Sequence, residues 1–154
     1  MGYIDDNLMS NENVVGHARL HWIIYLSAIA WLTSGILLIA MAQGAAAALG
    51  GFCILIAMAA ALLSFINRKT SEFGVTNKRV ILKTGLIRRN THEVLLAKVE
   101  GIQVNQGILG RILGYGSVTV TGTGGSQGPY HRIAKPLDFR RMVQEQVSVI
   151  QEAN

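Results

Sequence analysis

From Trp22 to Asn67 the chain runs for 46 residues without one Asp, Glu, Lys or Arg. About 20 apolar residues suffice to cross a bilayer, so the run is long enough for two crossings. It divides near Gln43 and Gly44, which predicts one helix over about 22–42 and a second over about 46–66, joined by an alanine- and glycine-rich bend. A helical hairpin is the expected form, because backbone groups in lipid must be satisfied within each spanning segment. No Asp, Glu, Lys, Arg or His lies in the span, so a transporter or proton relay has no such residue to carry it. Small residues recur four apart, Ala46 with Gly50, Ala47 with Gly51 and Ala57 with Ala61. That spacing allows close helix approach, within the hairpin or between copies.

The flanks set an expected orientation. The chain opens with Asp5, Asp6 and Glu12 rather than a basic start, which is unlike a cleaved signal peptide. All fourteen Lys and Arg lie outside the run, thirteen of them after Asn67. The positive-inside rule then expects both ends in the cytoplasm. Residues 68–154 carry thirteen bases against six acids, a balance that suits an anionic membrane surface. Nucleic acid is not expected as a partner, since only Phe73, Tyr115, Tyr130 and Phe139 offer aromatic faces there and no nucleic-acid motif is present. Cys53, the only cysteine, lies within the second apolar segment, so neither an intrachain disulfide nor a thiolate metal cluster is expected.

From Thr70 onward the period changes from helical to alternating. Phe73 and Val75 lead to a turn at Asn77-Lys78, Val80 and Leu82 then alternate with Arg79, Ile81 and Lys83, and Gly85 turns the chain into Leu86 to Val94. Ile102 with Val104, and Val118 with Val120, mark two further strands with these residues inward. Between them "ILGRILG" predicts a helical turn or wide loop. Pro136 suits a first helical turn, and Phe139, Met142, Val143, Gln146, Val149 and Ile150 recur at three- and four-residue spacing, which predicts an amphipathic helix. The expectation is an α+β membrane protein whose six or seven short strands form a small bent sheet or barrel, closed by that helix.

Three stretches, "LMSNENVVGHARLHW", "TSEFGVTNKRVILKTGLIRR" and "LAKVEGIQVNQGILGRILGYGSVTVTGTGG", resemble the bacterial pleckstrin-homology-like membrane proteins of the YdbS type. The similarity runs from about Leu8 to Pro136. It implies an N-terminal cytoplasmic segment over 1–21, a transmembrane hairpin over 22–66 and a cytoplasmic PH-like domain over 68–154, at a bacterial inner membrane. It implies no established catalytic activity.

Several motifs have a plain architectural reading. The glycines of Gly107 to Gly125 do not enter a helix as a dinucleotide fingerprint requires, and no P-loop lysine is present, so bends and a hairpin tip are expected. Gly124-Gly125-Ser126-Gln127-Gly128 satisfies the pattern of a hydrolase elbow, but no histidine follows Asp138 to complete a triad. His17 and His21 would share a face if their segment were helical, with Glu12 nearby; an interfacial helix start with His21, Trp22 and Tyr25 at the headgroups is preferred to a metal pair. No enzyme, cofactor or metal is expected. The strongest signal is basic: Arg68, Lys69, Lys83, Arg88 and Arg89 are expected to face lipid if the strand after the membrane rises to Asn77-Lys78 and the next one returns. The plain alternative is a solvated strand face with ordinary flanking charge. The function expected is a membrane-anchored adaptor at the inner leaflet that recruits protein and contacts anionic lipid. The alternative is a structural subunit of a homo- or hetero-oligomeric assembly.

Overall fold

The structure, a computed structural model, describes residues 3–41, 44–85 and 90–152. The chain divides into two compact units, Trp22–Lys69 and a second built from Met1–His21 together with Thr70–Asn154.

In the helical unit a 3-10 turn, Trp22–Tyr25, leads into α2 (Leu26–Met41), and α3 spans Ala45–Thr70. Trp22–Met41 and Ala47–Thr70 are long and apolar enough to cross a membrane. The two helices pack as an antiparallel pair: Gly35 meets Gly50 backbone to backbone, and the Ser64 hydroxyl donates to the Ile24 carbonyl at 3.0 Å. A Cβ added to Gly50 would lie 2.8 Å from the Gly35 oxygen, so the helices come together where neither has a side chain. The hydroxyls of Thr33 and Ser34 donate back to the carbonyls of Ala30 and Trp31, which satisfies them inside an apolar helix. Large side chains such as Leu37, Phe52, Leu62 and Leu63 point outward and are exposed.

The second unit begins with a helical turn, α1 (Tyr3–Asp6), and a strand, β1 (Val14–Ala18). β2 (Glu72–Thr76), β3 (Arg79–Thr84) and β4 (Asn90–Leu95) complete an antiparallel sheet in the order β1-β2-β3-β4. After a 3-10 turn at Leu96–Lys98, β5 (Val99–Asn105), β6 (Tyr115–Gly122) and β7 (Gly125–Ala134) form a second sheet. The short helix α4 (Ile108–Leu113) joins β5 to β6, and α5 (Pro136–Glu152) packs against strands of both sheets with Phe139 and Val143 fully buried. The strands at the Asn77-Lys78 turn, the alternation of β6 and the helix from Pro136 all agree with the sequence reading.

One expectation, the closed barrel, is corrected, and two conditional readings are decided. The strands do not close into a barrel, because the chain leaves the first sheet at Leu95. Leu96 drops into the core, and its N–H donates to the Lys78 carbonyl at 2.9 Å, which turns the backbone away before β5 begins. The segment holding His17 and His21 is not helical: His17 lies in β1, and His21 donates its backbone N–H to the Arg132 carbonyl at 2.7 Å. Nor does β3 have a solvated face, since Arg79, Val80, Ile81 and Leu82 are all buried. An N-terminal residue packs on the strand beside it. Gly74 pairs with Ile81, and Ile4 packs so tightly on Gly74 that an added Cβ would meet its Cδ1 at 2.6 Å.

Candidate membrane-facing site

Lys83 lies near the end of β3, opposite Glu72 on β2 and Thr91 on β4. Its ammonium stands 4.0 Å from the ring centre of Tyr3, a cation-π contact that a lipid phosphate would have to share. Glu72 is engaged as well, accepting the Ile4 N–H at 3.2 Å. Arg68 and Lys69 occupy the last turn of α3, both exposed, where cations complement the negative end of the helix dipole. The Lys69 ammonium lies 5.9 Å from the Phe65 ring. α3 therefore runs about a turn beyond the expected end and carries both cations on helical backbone. Arg88 and Arg89 lie outside the described residues. Of the five basic residues, Lys83 belongs to the β unit and Arg68 and Lys69 to the helical one.

A buried ionic knot escaped the sequence reading. Arg79 directs its guanidinium at Glu12, Nε to Oε1 and Nη2 to Oε2, each at 2.9 Å. Nη1 pairs with Glu93, and Nη2 also donates to the Asn7 carbonyl at 2.8 Å. Glu12 further accepts the Thr76 hydroxyl at 2.8 Å and the Met9 N–H at 2.6 Å. Burial alone would raise the Glu12 pKa, but the Arg79, Met9 and Thr76 hydrogen bonds outweigh it and hold the carboxyl below its ordinary range. The same pairing with Glu12 raises Arg79 against its own burial. No signal in sequence links these residues, which lie 67 positions apart across the apolar run. The knot fastens the N-terminal segment to β2 and β3.

Two further features have geometry. An open cleft of about 370 Å³ is lined by His17, Ala18 and Arg19 after β1, by Ala134 and Lys135 after β7, and by Asp138, Phe139 and Met142 of α5. Met142 closes over β1 at Gly16, where an added Cβ would collide with its sulfur. The Gly124 to Gly128 stretch is a β-hairpin: Ser126 lies in β7 with its hydroxyl 3.1 Å from that of Thr121, not on a strand-to-helix turn. His17 reaches Asp5 at 3.9 Å, while the His21 ring packs on Tyr115 with centroids 5.6 Å apart. Among the described residues no group of three or more His, Cys, Asp or Glu converges as a metal site would require.

No curated protein and no solved structure matches the chain. The family model described as the bacterial PH domain matches residues 17–147, a span that includes both apolar helices as well as β2 to β7 and most of α5. The two sheets with a C-terminal helix across them, and a match over well over half of the sequence, together make this chain a member of the bacterial PH domain family.

Proposed function

We propose that this chain is a PH-like binding module tethered at the inner leaflet by its helical pair, where it recruits protein and contacts anionic lipid. The carrying observation is that β1 and β2, the strands flanking the apolar pair in sequence, are hydrogen-bonded neighbours, with Ala18 opposite Phe73 and Val14 opposite Thr76. A sheet assembled from both ends of the pair requires those ends on one side of any bilayer the helices cross. That supports two crossings with both termini on the same face. The bases of the last α3 turn, and Lys83 opposite a residue only three positions beyond Lys69, supply positive charge where the chain resumes after the helices. The cleft beside β1 and α5 offers a mixed lining, with His17, Arg19, Lys135 and Asp138 around Phe139 and Met142, to a peptide partner.

The test is full-length protein in phosphatidylglycerol-containing vesicles, with a protease-cleavable tag at each end. Retention through an alkaline wash, with both tags cut from the same side, is the expected result. Release by the wash, or tags on opposite sides, would contradict the tether.

A further inference from the structure

α4 is built inside out. At about 100° per residue, Ile108, Leu109, Ile112 and Leu113 share one broad face of the helix, and they are 83%, 65%, 74% and 40% exposed. The opposite side carries Gly110, which is buried; an added Cβ there would lie 2.6 Å from the Tyr115 carbonyl oxygen. The helix is held firmly in this pose. Gln106 donates to the Tyr115 carbonyl at 3.0 Å, the Arg111 N–H bonds Gly107, and Gly114 closes the helix in the left-handed region with its N–H on Gly110. Four aliphatic side chains thus form a fixed apolar knob, since the glycine face allows the helix no other way to pack.

Its surroundings say what covers it. Tyr115 directly follows the helix and stacks on His21, the residue before Trp22, where the uncharged run begins. The knob therefore occupies the end of the β unit from which the chain passes into its first apolar helix. Exposed Arg111 lies within α4, and Arg132, Lys135 and Arg19 are tied to the same end through His21 N–H to Arg132, Lys135 N–H to Gly114 and Ala134 N–H to Arg19. From residue 101 to 137 the sequence has no Asp or Glu, and Asp138, in the first turn of α5, is the acid that follows. An aliphatic face at the same end of the β unit as four exposed cations matches an anionic bilayer, with hydrocarbon below and phosphates around it.

We propose that α4 is a membrane wedge: Ile108, Leu109, Ile112 and Leu113 seat in the headgroup–acyl boundary of an anionic leaflet and fix the β unit against it. The inference rests on the tethered reading, and one experiment separates the two. In full-length Cys53→Ser protein, an environment-sensitive fluorophore is placed in turn at Ile112→Cys, at Leu37→Cys on α2 and at Thr123→Cys. Thr123 is at the β6–β7 tip, roughly 25 Å away along β6 at about 3.3 Å per residue. The protein is reconstituted in vesicles of phosphatidylglycerol and phosphatidylethanolamine with or without lipid-borne nitroxide. The wedge predicts blue-shifted emission and strong nitroxide quenching at positions 112 and 37, with neither at 123. Quenching at 37 but water-like emission at 112 would overturn the wedge and leave the tether standing. Water-like emission at both would remove both. A label at 112 that is shielded without lipid quenching, and becomes exposed as protein is diluted in the bilayer, would assign the knob to a second copy and overturn the wedge equally.

Discussion

Glu12 is a charged residue 5% exposed, and its cost is met by Arg79, Thr76 and the Met9 N–H acting together. Removing one partner from a buried pair typically costs about 3–5 kcal/mol, although Arg79 would here keep Glu93 and the Asn7 carbonyl. Glu12→Gln is therefore expected to lower the unfolding free energy by about 2–3 kcal/mol, whereas Glu93→Gln, at a carboxylate 37% exposed, should cost about 1 kcal/mol or less. Chemical denaturation in detergent checks the ratio; equal losses would contradict the knot's centre at Glu12. The pH dependence follows in sign. The folded Glu12 pKa lies below the ordinary 4.5, so its contribution is present above the unfolded value and is lost as pH falls through the folded one. Wild type should lose stability on acidification below about pH 4.5, and Glu12→Gln should lose less over the same window. Lys83 and Arg68 illustrate what sequence could not reveal at this scale. Both are expected from sequence to face lipid, yet Lys83 is taken up by Tyr3, whose arrival depends on a turn 80 residues earlier, while Arg68 stays exposed.

At the level of elements, legibility followed how local the stabilising forces are. α2, α3 and α5 were readable because an apolar run or a three-four spacing is a property of the segment itself. β6 was readable because Val118 and Val120 face one core while Ser117, Thr119 and Thr121 do not. β1 was not: "VVGHA" has no alternation, and its partner β2 is supplied from beyond the helices. The burial of Arg79 to Leu82 in β3 is not legible for a related reason, since the N-terminal residue Ile4 that packs on neighbouring Gly74 is equally remote. The small-residue spacing of α3 marked a close approach, but Gly35 of α2 as its counterpart did not emerge from the four-residue pattern. Gly50→Ala should place a methyl against the Gly35 oxygen and the Ile39 side chain, at 2.8 and 2.7 Å, and lower stability by about 1–3 kcal/mol. Gly51→Ala meets nothing within 4 Å and should be neutral or stabilising by up to about 1 kcal/mol through helix propensity. Thermal unfolding of the two variants in one detergent decides it, and equal behaviour would refute a glycine-specific crossing.

For the whole molecule, the order of the sequence and the order of the fold differ. The β unit is written in two pieces separated by the helices, and the first contributes a sheet strand, a covering residue at Ile4 and the counter-ion of Arg79. A chain starting at Arg68 therefore loses β1, exposes β2 as an edge and strands Arg79 in the interior without Glu12. Such a fragment is expected to aggregate or to unfold without a cooperative transition. Because Ala18 and Phe73 are neighbours across the β1–β2 ladder, the helices can be excised instead. Residues 3–21 joined to 70–152 by a Gly/Ser linker of about ten residues should give a cooperative β unit, since a flexible linker of that length spans adjacent strand ends with ease. Circular dichroism melts and the dispersion of amide proton signals would compare the two. Should the fragment from Arg68 melt as sharply as the joined chain, the N-terminal segment would be an accessory. If only the joined chain folds, the hairpin is an insertion between β1 and β2 of a single PH-like body. Any lipid that grips the helices would then be coupled to that body through two strands of one sheet.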